Sequence, residues 1–315
     1  MTFQHEPVML QEVLAWMQVK PDGVYCDGTL GGGGHSGAIL RSSGGTARLF
    51  GIDRDETAIQ AATERLGQYS GFQAIHGNFH DGKALLEEAG AGPLDGVLLD
   101  LGVSSPQLDI PERGFSYHAD APLDMRMDRG SGMTAAELLN TADESTLTGI
   151  IRDYGEEKWA ARIASMICEH RKEKPFETTF DLVHAVDAAI PKAVRRKEDG
   201  HPARRTFQAV RIAVNDELQP LEKAIQDFVD CLAPGGRICI ITFHSLEDRI
   251  VKRCLKTLEN PCICPPRAPI CTCGRKPSVK VLGKGAIQPS AEETERNPRA
   301  RSAKLRVAEK LPEER

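Results

Sequence analysis

The sequence has no run of the ~18 apolar residues that a bilayer-crossing helix requires. Residues 1–10 place His5, Glu6 and Pro7 where a secretory signal needs an apolar core, so the expected location is the cytoplasm and no membrane partner is expected. A disulfide framework is equally unsupported. Nine cysteines form an odd set, and five of them are scattered through regular-looking elements, as reduced thiols would be. Aromatic residues make up only 5%, with two tryptophans, and no internal repeat is visible. Even so, 40% hydrophobic content in 315 residues can bury a full core, with room for about two domains.

An overall excess of positive charge, the usual mark of a polyanion binder, is also missing, since the net charge is −5. The average hides an asymmetry. Residues 1–251 carry 25 basic and 38 acidic side chains, a balance of −13, whereas residues 252–315 carry 15 and 7, a balance of +8. A second basic cluster comprises Lys192, Arg195, Arg196, Lys197, Arg204, Arg205 and Arg211. Two basic patches on an acidic protein suggest a local polyanion footprint, with a solvated charged loop as the alternative for either patch.

What the sequence does contain is Tyr25-Cys26-Asp27-Gly28-Thr29-Leu30-Gly31-Gly32-Gly33-Gly34-His35-Ser36-Gly37, an apolar strand-like stretch that ends in an acid and then in glycines. Four consecutive glycines carry an entropic cost, and they make sense where the chain needs positive φ and a ligand must approach the main chain. About 20 residues later, Leu49-Phe50-Gly51-Ile52-Asp53 reads as a second strand ending in a carboxylate, the spacing at which a nucleotide-type fold places an acid for a ribose hydroxyl. Gly32-x-Gly34-x-x-Gly37 also fits G-x-G-x-x-G, a frame that any glycine-rich stretch meets easily.

Strand and helix patterns alternate through the first hundred residues. Strands are expected at 24–27, 49–53, 72–76 and 96–100, and helices at 35–41 and 56–66. The near-continuous apolar run Gly96-Val97-Leu98-Leu99 is what a strand buried on both faces of a parallel sheet requires. From about residue 111 to 205 only helical spacing appears. The sheet pattern then resumes with an amphipathic helix over 214–232, a Pro234-Gly235-Gly236 turn and a strand at 237–243. The expected architecture is a doubly wound, mostly parallel α/β sheet formed by residues 1–110 and 206–315, interrupted by a helical domain at 111–205. The stretch from about residue 276 onward, rich in Pro, Lys and Glu, is not counted as ordered.

The carboxyl ends of the expected strands carry Asp27, Asp53, Asn78-Phe79-His80 and Asp100, where ligands sit in open α/β sheets. Acids at these ends, with a proline-containing turn behind the last, are the layout of S-adenosylmethionine-dependent methyltransferases. Ser104-Ser105-Pro106-Gln107 occupies the place where amino-group methyltransferases carry a Pro-Pro-aromatic motif. A delocalised exocyclic amine needs fixed acceptors for its N–H bonds as it becomes tetrahedral, so Ser104, Ser105 and Pro106 are the candidate catalytic turn. Gln107 replaces the stacking aromatic, which leaves stacking to Phe115 or Tyr117. Two other functions stay open on the residues alone: a dinucleotide oxidoreductase, and a non-enzymatic RNA-binding protein with a degenerate cofactor fold.

The chain closely resembles the bacterial RsmH (MraW) family. The resemblance rests on His5-Glu6-Pro7-Val8-Met9, Gly28-Thr29-Leu30-Gly31-Gly32-Gly33-Gly34-His35, Asp100-Leu-Gly-Val-Ser-Ser-Pro-Gln-Leu-Asp109 and Arg113-Gly-Phe-Ser116. It continues through Arg205-Thr-Phe-Gln-Ala-Val-Arg-Ile-Ala-Val-Asn-Asp-Glu217, Phe243-His-Ser-Leu-Glu-Asp-Arg249 and Asn297-Pro-Arg-Ala-Arg-Ser-Ala-Lys-Leu-Arg306. It implies methylation of N4 of a cytosine in the decoding region of 16S ribosomal RNA, within the small ribosomal subunit, with S-adenosylmethionine as donor. It also implies that Gly33, Gly34, His35, Asp53, Phe79, Asp100 and Gln107 contact that cofactor. Arg195, Arg196, Arg204, Arg205 and Arg211 are expected to contact RNA phosphates, and a homodimer is left open. Cys262-x-Cys264 and Cys271-x-Cys273 could hold Zn²⁺ tetrahedrally, but the spacing is not the usual C-x₂-C, and unligated loop thiols are the preferred expectation.

Overall fold

A computed structural model describes residues 7–196, 200–265 and 270–312. His5 and Glu6 of the first motif and Lys197 of the basic cluster lie outside the described residues. The chain forms two compact units, one comprising Val103–Glu217 and the other the segments before and after it.

The α/β unit is built on seven strands: β1 Val24–Asp27, β2 Arg48–Asp53, β3 Phe72–His76, β4 Leu94–Asp100, β5 Leu232–Thr242, β6 Val279–Ile287 and β7 Lys304–Lys310. Their order in the sheet is β3-β2-β1-β4-β5-β7-β6. The first five strands run parallel, while β7 is antiparallel to both β5 and β6. The doubly wound, mostly parallel sheet expected from the sequence is thus present. The chain steps outward from β1 to β3 and returns to place β4 on the other side of β1, so the topological switch lies between β1 and β4. A ligand crevice forms outside the carboxyl ends of such a pair.

Both faces of this sheet are covered, which explains the unbroken apolar runs. Val97, Leu99, Ile238 and Ile240 pack in one core with Ile225 and Phe228 of helix Leu221–Cys231 and with Val251 and Leu255 of helix Ser245–Glu259. The alternate residues Leu98, Cys239 and Ile241 face a second core with Val13 and Met17 of helix Leu10–Met17 and Ile39 and Leu40 of helix Gly34–Ser42. The expected Pro234-Gly235-Gly236 turn is a bulge within β5. Leu94 pairs with Leu232 and Gly96 with Arg237, so residues 233–236 stand opposite the single Asp95, and Gly235 takes φ +81°.

The C-terminal segment corrects the sequence expectation. Beyond residue 276 it supplies two of the seven strands and the helix Ala291–Arg296. Its strands carry many charges, but Leu305 and Val307 of β7 are fully buried. Charges beside them are paired: Lys304 and Arg306 reach Asp248 at 3.3 and 2.7 Å, and Glu309 meets Arg237 of β5 at 2.8 Å. Those two cations also hold the Asp248 carboxyl below the usual range despite its partial burial.

The helical unit has its own core, which includes Leu147, Ile151, Ile163, Ile167, Leu182 and Val210. It is wider than the expected 111–205 at both ends. Val103 and Leu108 pack against its core, and helix Arg204–Asn215 lies on helix Glu144–Gly155 so closely that a Cβ on Gly155 would meet the Arg205 carbonyl at 2.9 Å. Two of the sequence motifs clamp the segment 122–127 in place. The buried Arg113 donates from Nη2 to the carbonyls of Arg126 and Met127 at 3.0 and 2.9 Å. Gly114, at φ +75°, leaves room for Pro122 O, which a Cβ would meet at 2.4 Å.

On the other side, buried Asn215 donates to Met125 O at 2.8 Å and accepts from Met127 N at 2.9 Å. Replacing it with alanine leaves a buried N–H and a buried C=O without this partner, a cost of roughly 2–4 kcal/mol. Asn215→Ala is expected to lower the thermal transition of the helical unit by several degrees, measured by calorimetry. An unchanged transition would show that the clamp contributes nothing.

Candidate cofactor site at the strand ends

Strand β1 ends at Asp27, and its carboxylate is used internally. It is almost fully buried, accepts from Ser36 Oγ at 2.6 Å through Oδ2, and accepts from Thr29 N and Oγ1 at 3.2 and 3.4 Å through Oδ1. Burial raises its pKa, and the Ser36 hydroxyl opposes that rise. Thr29 Oγ1 also accepts from Asp100 N at 2.7 Å, tying the turn to the end of β4. The sequence expectation counted Asp27 among the polar ends facing the crevice; the structure makes it the fixture of the glycine turn. Thr29 and Ser36, which hold it, carried no expectation beyond their place in the motif.

The glycines divide by purpose. Gly33 sits at φ +71°, and a Cβ there would meet Leu66 Cδ1 at 2.8 Å, while a Cβ on Gly34 would meet Pro7 Cγ at 2.6 Å. These two are demanded by the protein's own packing. Gly32 differs, since a Cβ there would meet nothing within 4 Å. The loop is therefore closed toward the protein at Gly33 and Gly34 and open at Gly32, as a surface for a ligand must be. The Gly33 N–H donates to Leu30 O at 2.9 Å.

Asp53, at the end of β2, accepts Gly31 N at 2.8 Å through Oδ2 and Asp55 N at 2.9 Å through Oδ1. Each oxygen of an ionised carboxylate has two acceptor positions, so one remains on each. Burial raises the Asp53 pKa, with the Asp55 and Gly31 N–H groups opposing. Asp55 itself caps helix Glu56–Leu66, accepting from Thr57 N at 3.1 Å. Gly77 N donates to Asp53 O at 2.9 Å, which joins the end of β3 to that of β2 just before Phe79. Phe79 is half-buried against the core and meets the His80 ring edge-on at 4.3 Å. Burial and the Arg54 charge push the His80 pKa down to about 4, so this imidazole is neutral at pH 7.

His35 and Asp100 leave buried polar atoms without hydrogen-bond partners among the described residues. The His35 side chain is 7% exposed, and its Nε2 stands 3.5 Å from Asp100 Oδ2. Among the described residues neither ring nitrogen of His35 has a hydrogen-bond partner, and neither does Asp100 Oδ1. Buried polar atoms are normally paired, so three together at the topological switch point to a ligand. Beyond β5, a hollow of about 280 Å³ is lined by Phe243, His244, Ser245, Ser302 and Lys304. His244 there caps helix Ser245–Glu259, and its Nε2 lies 3.0 Å from the buried Glu247. Ser302 and Lys304 fall in a quoted motif but were assigned no role from the sequence.

The remaining expected site residues lie in the helical unit. Residues 104–107 are not an isolated turn: they start the short helix Ser105–Asp109, with Ser104 N donating to Gln107 Oε1 at 3.0 Å in a capping box. Ser105 and Gln107 are buried. Phe115 is buried in the helical core and is not available for stacking, while Tyr117 stacks on His201 with ring centroids 4.6 Å apart. The basic cluster is likewise mostly paired. Arg211 forms a two-point bond with Glu217 at 2.9 and 2.8 Å, Arg195 meets Asp187 at 2.8 Å, and Arg205 lies 3.7 Å from buried Glu157. Arg196 and Arg204 are exposed, as is Lys192.

A family model described as the MraW methylase family matches residues 2–311. The chain belongs to this family. Members named ribosomal RNA small subunit methyltransferase H are similar along its whole length. The protein of Halothermothrix orenii is 50% identical over 308 residues, covering 98% of this chain and 99% of that one. Those of Heliobacterium modesticaldum and Clostridium botulinum are each 52% identical over 313 and 311 residues, covering 99% of this chain and 100% of theirs. Family membership sets aside the oxidoreductase alternative that the glycine frame alone left open.

The glycine geometry makes a direct prediction. Gly33→Ala forces an L-residue into the left-handed region and displaces Leu66, a cost of roughly 1–2 kcal/mol or more. Gly32→Ala has open space and is expected to stay within about 0.5 kcal/mol of the parent. Urea denaturation of the two variants compares them, and equal stabilities would contradict the assignment of Gly33 to packing.

Proposed function

We infer that this chain transfers a methyl group from S-adenosylmethionine to the exocyclic N4 of a cytosine in the decoding region of 16S ribosomal RNA. Family membership supplies the reaction class, and the His35–Asp100 pair at the switch point, whose two ring nitrogens and Asp100 Oδ1 have no hydrogen-bond partner among the described residues, is the structural observation that carries the cofactor assignment. A ribosomal substrate is consistent with the expected cytoplasmic location, and among the described residues no helix is long and apolar enough to cross a membrane. We further propose that the substrate is the small subunit.

The residues fit the proposed cofactor. Asp53 keeps one acceptor position on each carboxylate oxygen, matching the two hydroxyls of a ribose, and Phe79 offers an apolar ring beside it for a base. The open main chain at Gly32, together with Gly33 and Gly34, would accommodate the body of the ligand. Asp100 Oδ1 would accept from its ammonium, with His35 alongside. When bound, the cofactor supplies a methyl group made electrophilic by its sulfonium charge. The helix start at residues 104–107 would orient the target amine, whose N–H bonds need rigid acceptors as the nitrogen becomes tetrahedral. The resemblance assigns Gln107 a cofactor contact, and within the helical unit its Oε1 accepts the Ser104 N–H.

RNA contact is proposed at Arg196 and Arg204 with Lys192, because the carboxylates beside Arg195, Arg205 and Arg211 already engage those cations. Arg196→Ala with Arg204→Ala is expected to reduce the salt slope of RNA binding by about 1–1.5, at about 0.7 for each lost phosphate contact on a single strand. An unchanged slope with normal cofactor affinity would make both side chains solvated surface.

Asp53→Ala should weaken S-adenosylmethionine by about tenfold or more, since it removes charge-assisted bonds worth roughly 1.5–3 kcal/mol each. The same carboxylate sets a pH dependence. Ribose hydroxyls donate to its ionised form, so the ligand lowers a pKa that burial has raised. Affinity is therefore full above the raised pKa and declines as the pH falls through it. Calorimetry across the acidic range should show this decline in the parent and its loss in Asp53→Ala; parallel profiles would remove Asp53 from the site.

A further inference from the structure

Residues 260–278 link helix Ser245–Glu259 to β6, and no described residue among them is buried. Ile263 and Ile270 are 66% and 74% exposed. The loop is pinned at its base, where Ser278 N donates to Leu258 O at 3.0 Å and Leu311 N donates to Ser278 O at 2.9 Å. Away from that base its described residues form no apolar core. A long loop without secondary structure needs another source of order.

Four sulfurs converge in it. Cys262 and Cys271 stand 3.6 Å apart, Cys271 and Cys273 3.5 Å, Cys262 and Cys273 3.8 Å, and Cys264 and Cys271 3.9 Å. All four ligand atoms lie within 4.8 Å of one another. A tetrahedron with metal–sulfur bonds of about 2.3 Å has sulfur–sulfur edges of about 3.8 Å. A disulfide requires about 2.05 Å and joins sulfurs in pairs. Here Cys271 is nearly equidistant from three partners, and every one of these cysteines is free. Thiols are weak hydrogen-bond partners, so mutual attraction does not explain the convergence. Thr272 N also donates to Cys264 Sγ at 3.3 Å, the kind of outer support that steadies a thiolate ligand.

We propose that Cys262, Cys264, Cys271 and Cys273 bind one Zn²⁺ tetrahedrally, and that this ion orders the loop between the helix and β6. The short C-x-C spacing argued against zinc in the sequence; the folded geometry outweighs it. Four thiolates close the coordination sphere, so the site is structural and leaves no position for an activated water. Thiol protons pass to solvent on binding. The resulting complex carries two negative charges, and Arg275-Lys276 follows one glycine after Cys273 in the sequence.

The full chain, purified without chelators and refilled with zinc under reducing conditions, should contain about one zinc per chain by plasma mass spectrometry. Cobalt substitution should give the intense visible bands of tetrahedral thiolate coordination. Cys262→Ser with Cys273→Ser should bring zinc below about one-tenth per chain, with the cobalt bands lost. A second measurement on the parent covers the event that this variant fails to fold: mercurial titration of the thiols should release the zinc to a chromogenic chelator. Parent protein without stoichiometric zinc after refilling, iron in its place, or zinc released without thiol modification would overturn the proposal.

Discussion

The buried carboxylate of Asp27 holds together the end of β1, the glycine turn and the first turn of the following helix. A carboxylate taken out of water is costly unless its oxygens are occupied, and here Thr29 and Ser36 occupy them. Thr29 then reaches across to the main chain of Asp100. One buried charge thereby couples the two strands that flank the topological switch. The glycine loop needs this fixture because Gly31 and Gly33 both occupy the left-handed region, where the chain has little intrinsic preference to stay.

The long sequence strings that mark the family are not all chemistry. Arg113, Gly114 and Asn215 clamp residues 122–127, and Arg211 pairs with Glu217 at the end of the same helix that carries Asn215. These residues shape the helical unit and have no need of a substrate to explain them. His244 and Glu247 provide a similar case in the α/β unit, where their contact completes a helix cap.

The parallel strands were legible because burial on both faces demands unbroken apolar runs, and the acids ending them stand out against that background. The last two strands were not legible. Lys304 and Arg306 alternate with buried residues and read as a solvated tail, because sequence shows a charge without showing that Asp248 lies opposite it. In the same way the sequence did not show that Arg195, Arg205 and Arg211 lie beside Asp187, Glu157 and Glu217. Pro106 read as a rigid turn, whereas proline in the first turn of a helix is equally natural.

Three acids end three neighbouring strands, yet their environments give them different work. Asp27 accepts three internal hydrogen bonds, Asp53 accepts one on each oxygen, and Asp100 Oδ1 has no partner among the described residues. Capacity for a ligand rises in that order. An acid with three of its four acceptor positions taken serves best as a fixture, because displacing its partners would dismantle the loop it holds. An acid with half its positions filled is oriented by the protein and still able to accept hydroxyls. The third is held by its strand and by the approach of His35, and its unfilled oxygen is the point at which folding leaves an electrostatic requirement for a ligand to meet.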